Sequence, residues 1–234
     1  MLKSLDEYKP RPKAVRYILG YLVLFLGTIL TKIEVKGRQN IPRKGSFVVA
    51  INHFHRIDPP FVIYAIQRPI NFLMASDQNV EAKLMWGPWL YGFISTNRIK
   101  VAPSTIKQSI KAIKKGEIIG VFPEGAATDK KLRTPKKGAI YFAMKTNVPI
   151  LPVSIIGLDN VSKYWFRGVR PRIIIKIGKA FKIGATLKTG KKEREKQIIN
   201  FGEDMMCRIA ALLPEDYHGA FAGDKRIEEN KSLD

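Results

Sequence analysis

Short runs rich in Val, Ile and Phe alternate with segments of helical spacing along most of this chain, and that alternation constrains the fold more than any other feature. SFVVAINH is followed by PPFVIYAIQR, NFLMAS by a segment containing WGPW, and FISTNR by TIKQSIKAIKKG. IIGVFPEG precedes AIYFAMKTN, and the apolar runs PILPVSIIG and RIIIKIGKA come next. Strand runs interleaved with helical ones predict an α/β domain built on a single mixed, largely parallel sheet flanked by helices. Pro59-Pro60 marks a helix start, Gly116 a helix end, and Pro149 and Pro152 bound a strand. From Lys191 the spacing of Ile198, Phe201, Met205, Ile209 and Leu212 predicts a long helix with one face on the domain. Residues 214–234 are polar and lack periodicity, which predicts a loosely held tail.

At 234 residues the chain is long enough for one sizeable core. Its charge is unusual: 41 Lys and Arg against 20 Asp and Glu give a net charge of +21, which draws the molecule to polyanions. Nucleic-acid binding predicts basic residues interleaved with stacking aromatics or a known module, and the sequence carries neither. The single cysteine, Cys207, excludes an intramolecular disulfide and lies in the apolar stretch MMCRIAALL, where a buried, inert thiol is expected.

Between Arg16 and Lys32 runs YILGYLVLFLGTILT, fifteen residues without a charge, preceded by Lys9, Arg11, Lys13 and Arg16. As a helix it measures about 22 Å, short of the roughly 30 Å hydrocarbon core of a bilayer. A buried core helix is one reading. The other is a membrane-associating segment over residues 1–31, half-inserted on the cytoplasmic face with its basic neighbours on anionic headgroups. The α/β domain then spans residues 32–213, and association with the membrane is expected to be peripheral or monotopic.

Two of the three histidines lie in NHFHRIDPP, as His53 and His55, with Asp58 close by. A histidine near neutrality is the readiest general base for an alcohol, and an adjacent carboxylate fixes its tautomer and stabilises the imidazolium. The strand SFVVAINH ends at His53, at the rim of the sheet, where α/β proteins keep their sites. No third histidine is near, since His218 is in the last segment, so no catalytic metal is expected. Arg98 closes GFISTNR with Lys100 just after it, and a guanidinium at a strand end can hold a phosphate in a bidentate fork. FPEG delivers Glu124 and Gly125 to another strand end, where the glutamate can accept bonds from an acceptor hydroxyl or brace Arg98, and the glycine lets a ligand approach the backbone.

Taken in order, NHFHRID, GFISTNR, FPEG and VPILPV resemble the motif blocks of the glycerolipid acyltransferase family, over roughly residues 33 to 155. The resemblance implies a mixed α/β fold with an acyl-chain tunnel, and transfer of a fatty-acyl group from acyl-CoA or acyl carrier protein to the hydroxyl of lysophosphatidic acid without a bound cofactor. It implies that His53 is the base, Asp58 its orienter, and Arg98 and Glu124 acceptor-site residues, with Gly125 and Lys100 beside them. Glycerol 3-phosphate or another lysolipid as acceptor, and a non-enzymatic basic module gripping membrane or RNA, are the alternatives. The chain departs from the family pattern at Ala126 and Ala127, where a polar-basic pair is usual, and at Ser76 and Asp77, where a lysine often stands; Lys83 or Lys100 can fill that role.

Overall fold

The computed structural model describes residues 10–75, 86–96, 102–127, 130–137, 140, 144, 147–183 and 190–231. Its centre is a seven-stranded sheet of β1 (Lys32–Lys36), β2 (Val48–Ile51), β3 (Ile70–Ala75), β4 (Ile94–Thr96), β5 (Ile118–Val121), β6 (Ile150–Ile156) and β7 (Arg172–Ile177), in the order β1-β7-β6-β2-β5-β3-β4. Neighbouring strands run parallel except at β6 and β7, so β1 and β7 point against the other five. The expected single mixed, largely parallel sheet is therefore the one observed.

Period-two alternation divides the core. Val48 and Ala50 face one layer, while Phe47, Val49 and Ile51 face the other. On the first face lie α4 (Pro103–Lys114), α6 (Lys191–Ala211) and α7 (Lys225–Lys231); on the second lie α1 (Lys13–Leu30), α2 (Asp58–Ile66) and α5 (Val161–Phe166), with the short α3 (Trp86–Tyr91) preceding β4. The face expected of the long helix is the one used, since Met205, Ile209 and Leu212 are buried and Ile198 and Phe201 pack beside them.

Pro152 lies inside β6, where a residue without an N–H is normally excluded. The residue two before it, Ile150, donates to Phe181 on the β7 side of the strand. Pro152 faces that same side; its carbonyl still accepts the Gly178 N–H at 3.0 Å, so only the return bond that its missing N–H would donate is absent.

The expected loose tail is overturned. Two 3-10 turns, Glu215–Tyr217 and Gly219–Phe221, lead into α7, and Phe221 and Ile227 are buried in the core. Leu132 and this segment also exchange backbone hydrogen bonds, to Tyr217 and from Ala220. Its apolar residues are shared among three short elements, so no single period connects them in the sequence.

The core-helix reading of the N-terminus fails as well. Ile18, Tyr21, Leu22, Phe25, Leu26, Ile29 and Leu30 of α1 are exposed; the helix, extended to 18 residues by Lys13–Arg16, is long and apolar enough by length and composition alone to cross a membrane, more than the fifteen-residue run suggested. It is nonetheless tied to the domain. Gly20 and Gly27 face Ile63 and Tyr64 of α2, and Gly27 gives the Tyr64 ring room that a Cβ would fill. Arg16, only 3% exposed, donates to Asn71 Oδ1 and Glu117 Oε2, both at 2.9 Å, and to the Arg11 carbonyl. A charge removed from water in this way is tolerated only with such partners.

Burial pushes the Glu117 carboxyl up, but the Arg16 and Asn71 hydrogen bonds, with the charges of Arg16 and Lys115, outweigh it and leave it below its ordinary value of 4.5. Glu117 thus holds its proton more weakly folded than unfolded. The clamp contributes fully above that ordinary value and is lost as pH falls through the lower folded one. Amide exchange in α1 should accelerate over that acid window, and Glu117→Gln should remove the step; a wild-type α1 whose exchange protection stays flat through it would show that the clamp does not hold the helix.

Candidate active site

The site is built where β2 ends. Asn52, fully buried, continues the ladder with its side chain: Oδ1 accepts the Ile155 N–H at 2.8 Å and Nδ2 donates to the Ile155 carbonyl at 2.9 Å. This amide substitutes for a backbone pair and fixes the direction in which the chain leaves the sheet. His53 follows, on the α2 side by the alternation that places Val49 and Ile51 there.

The turn through residues 54–57 closes with Asp58 N–H donating to the His55 carbonyl at 3.1 Å. Pro59 and Pro60 suit the first turn of α2, where their missing N–H groups have no helical partner in any case. Asp58 is thereby held at the positive end of α2, and its Oδ2 lies 2.8 Å from His53 Nδ1 while also accepting the His55 N–H at 3.0 Å. The carboxyl is 1% exposed. Burial pushes it above the usual carboxylate range, against the opposing pull of the His53 hydrogen bond and charge and of the His55 N–H.

An ionised Asp58 can only accept, so it selects the His53 tautomer with hydrogen on Nδ1 and leaves Nε2 as the proton acceptor. The His53 side chain is 15% exposed, enough for a substrate to reach the ring. The ring stacks on Phe122, with centroids 4.1 Å apart, and Phe122 stacks on Phe72. Gly120 permits this pile, because a Cβ there would stand 2.6 Å from the Phe72 ring.

Glu124 is buried and holds two loops together: Oε1 accepts the His53 N–H at 2.9 Å and Oε2 the Arg133 N–H at 3.1 Å. Glu124 therefore positions the backbone of the candidate base, a role the sequence reading missed. Gly125 has φ +76° and donates its N–H to the Phe122 carbonyl, so the FPEG turn needs glycine for its left-handed backbone. The structure brings His53, Asp58, Glu124 and Gly125 together at the carboxyl ends of the interior strands β2 and β5. Arg98 and Lys100 lie outside the described residues, as do Ser76, Asp77 and Lys83. Beside Asp58 is a small cleft whose lining includes Phe54, His55, Ile155, Leu158 and Tyr217, so the C-terminal segment reaches the site.

Asn52, Gly120, Phe72 and Phe122 carry no reactive group, and the sequence reading assigned them no role. A usable signal was the glycine inside IIGV, since a strand glycine marks a close approach.

The profile of the acyltransferase family matches residues 32–156, more than half of the chain, including His53, Asp58, Glu124 and Gly125. The chain belongs to the acyltransferase family. It is 33% identical over 138 residues to the 1-acyl-sn-glycerol-3-phosphate acyltransferase of Borreliella burgdorferi, covering 55% of this chain and 53% of that protein. It therefore spans about half the length of that relative. The protein of the same name from Bacillus subtilis is 26% identical over 149 residues, covering 61% of this chain and 71% of its own. The crystal structure of the 1-acyl-sn-glycerophosphate (LPA) acyltransferase PlsC from Thermotoga maritima superposes with a TM-score of 0.53 at 22% identity, covering 81% of this chain and 80% of that one. At that identity the likeness shows the shared fold.

Glu124→Gln would set an amide NH₂ against a backbone N–H in a buried site, a conflict worth about 1–3 kcal/mol. Turnover in an acyl-transfer assay should fall by roughly tenfold or more, with the Michaelis constant of the acceptor little changed. A selective rise in that constant would instead make Glu124 an acceptor-binding residue.

Proposed function

We propose that this acyltransferase moves a fatty-acyl group from the thioester of acyl-CoA or acyl carrier protein to the sn-2 hydroxyl of 1-acylglycerol-3-phosphate, making phosphatidic acid for phospholipid synthesis. The observation that carries the reading is the 2.8 Å contact between His53 Nδ1 and a fully enclosed Asp58, which leaves His53 Nε2 as a base at the end of the sheet. The names of the relatives supply the acceptor. The acceptor oxygen attacks the thioester carbonyl and forms the new C–O bond as its proton passes to Nε2. The tetrahedral intermediate collapses, the C–S bond breaks, and the leaving thiolate takes that proton. Asp58 stabilises the imidazolium between the two transfers.

No acyl-enzyme enters this scheme. Cys207 is buried on the opposite side of the sheet from α2, and burial above all pushes its thiol up to about 12, far from a nucleophilic thiolate. Arg98 is assigned to the acceptor phosphate and Lys100 to its neighbourhood, as strand-end cations following β4 in sequence. The exposed apolar face of α1 and the +21 charge support a peripheral or monotopic position on the cytoplasmic face of an anionic membrane.

Thioester consumption with and without lysophosphatidic acid, with product analysis, tests the reaction. His53→Ala should lower transfer by about 10² to 10⁴-fold, and Asp58→Asn should lower it strongly in a folded protein because the neutral amide permits the wrong tautomer. A folded His53→Ala enzyme with near-normal turnover would end the mechanism. Arg98→Ala should raise the Michaelis constant for lysophosphatidic acid, with a loss of about 30-fold or more in specificity constant, and should leave a phosphate-free monoacylglycerol little affected. Equal losses on both acceptors would remove Arg98 from the phosphate site.

A further inference from the structure

The segment from Val161 to Arg172, VSKYWFRGVRPR, carries four basic and no acidic residues, sets Tyr164, Trp165 and Phe166 between Lys163 and Arg167, a cluster the sequence reading passed over, and begins with a short helix that the strand and helix pattern did not anticipate. Phe166 is 93% exposed, and Tyr164, Trp165 and Val169 are exposed beside it. A soluble surface has no use for so large an apolar cluster, and Trp and Tyr with flanking cations are the residues that a membrane–water interface favours.

Its position is more telling than its composition. Trp165 Nε1 donates to the Leu30 carbonyl at 2.9 Å, and Arg170 Nη2 donates to the carbonyls of Thr28 and Thr31 at 2.6 and 2.7 Å. These are the last carbonyls of α1, whose final turn has no basic residue of its own. A helix end carries unpaired carbonyls and a partial negative charge, and neither can enter an apolar medium without a partner. Trp165 and Arg170 supply the partners, so the exposed face of α1 and the aromatic cluster meet at a helix end prepared for low dielectric.

We infer that residues 161–170 are a second membrane contact: Phe166 inserts among the acyl chains, Trp165 lies at headgroup level, and Lys163 and Arg167 meet the phosphates of anionic lipids. This rests on the proposed membrane association of α1 and extends it from one element to two. Two contacts fix an orientation where one helix leaves the domain free to roll. The oriented part is the site. α5 follows the C-terminal end of β6, α1 ends where β1 begins, and the register of β1, β7 and β6 brings both to the end of the sheet that carries His53.

The test is a Phe166→Cys variant carrying an environment-sensitive fluorophore, made practical because the only other thiol, Cys207, is wholly buried. On phosphatidylcholine vesicles containing phosphatidylglycerol, the probe should shift to the blue and be quenched by lipids nitroxide-labelled near the headgroup. Phe166→Ser, at a surface position that folding does not depend on, should weaken partition of the full chain by about tenfold. If the wild-type chain partitions but the probe stays in water and Phe166→Ser partitions normally, the second contact is refuted while the α1 reading stands. If the wild-type chain does not partition at all, the α1 reading fails and takes this one with it. A blue shift without vesicles that grows with protein concentration would overturn the proposal in favour of self-association.

Discussion

Everything at the site follows from one carboxylate held out of water. Asp58 is enclosed between the end of β2 and the start of α2, where the helix N-terminus, the His55 N–H and the His53 ring compensate its desolvation. Each compensating group is useful for a second reason. The helix end fixes the distance to the sheet, the His55 amide fixes the turn, and the imidazole is held in a single tautomer. Burial strengthens the link to His53 by lowering the local dielectric, and it also makes the carboxylate easier to protonate than an exposed one. A base arranged in this way requires that its orienter remain ionised, so the site is constrained to pH values above the raised range of Asp58.

The remaining architecture serves to keep that end of the sheet rigid and facing one way. Asn52 extends the ladder past β2, Glu124 fastens the His53 backbone to the loop that reaches Arg133, and Gly120 makes space for the aromatic pile beneath the imidazole. At the opposite end, Arg16 locks α1 to Asn71 and Glu117, near the starts of β3 and β5. The helix is thus fixed by its polar end, far from the end of the sheet that carries His53, and its apolar face runs toward that end. On the proposed membrane position, an amphiphilic acceptor embedded in the bilayer would present its hydroxyl near the headgroups, toward the end of the sheet that carries His53.

The sheet class, the long C-terminal helix and the His53/Asp58 pair were legible because each is written in local pattern: alternation of period two, spacing of 3.6, and a turn of a few residues. What escaped was written in contacts between distant segments. The packing of Phe221 and Ile227 passes through two 3-10 turns, which leave no repeat. The role of Glu124 depends on a carboxylate meeting an amide 71 positions away, and FPEG alone offers no way to tell that from a bond to a ligand. Arg16 reads in sequence as one more basic residue before an apolar run, and only the fold reveals that it faces inward. The apolar run itself supported two readings, and exposure of its outer face decided against a core helix.

The high positive charge acquires a specific use once the orientation is fixed. Near an anionic surface, unpaired cations are screened over about 8–10 Å, so a charge contributes to attraction only if the domain holds it close to the headgroups. Lys13 at the start of α1, Lys32 after its end, and Lys163 and Arg167 of the 161–170 segment lie on elements that meet the exposed apolar surface, Arg16 being turned inward, whereas the lysines of α4 lie on the other face of the sheet. Cations on that second face add little to holding the domain on a bilayer, yet they still raise the potential around the molecule. If the donor is an acyl-CoA or an acyl carrier protein, as proposed, it would come from the water side with its own negative charge, and a positive field on that side would steer it inward. On the proposed reaction, one sign of charge distributed over both faces suits two negative encounters from opposite directions, the lipid at the apolar face and the donor from solution, both converging on the end of the sheet that carries His53.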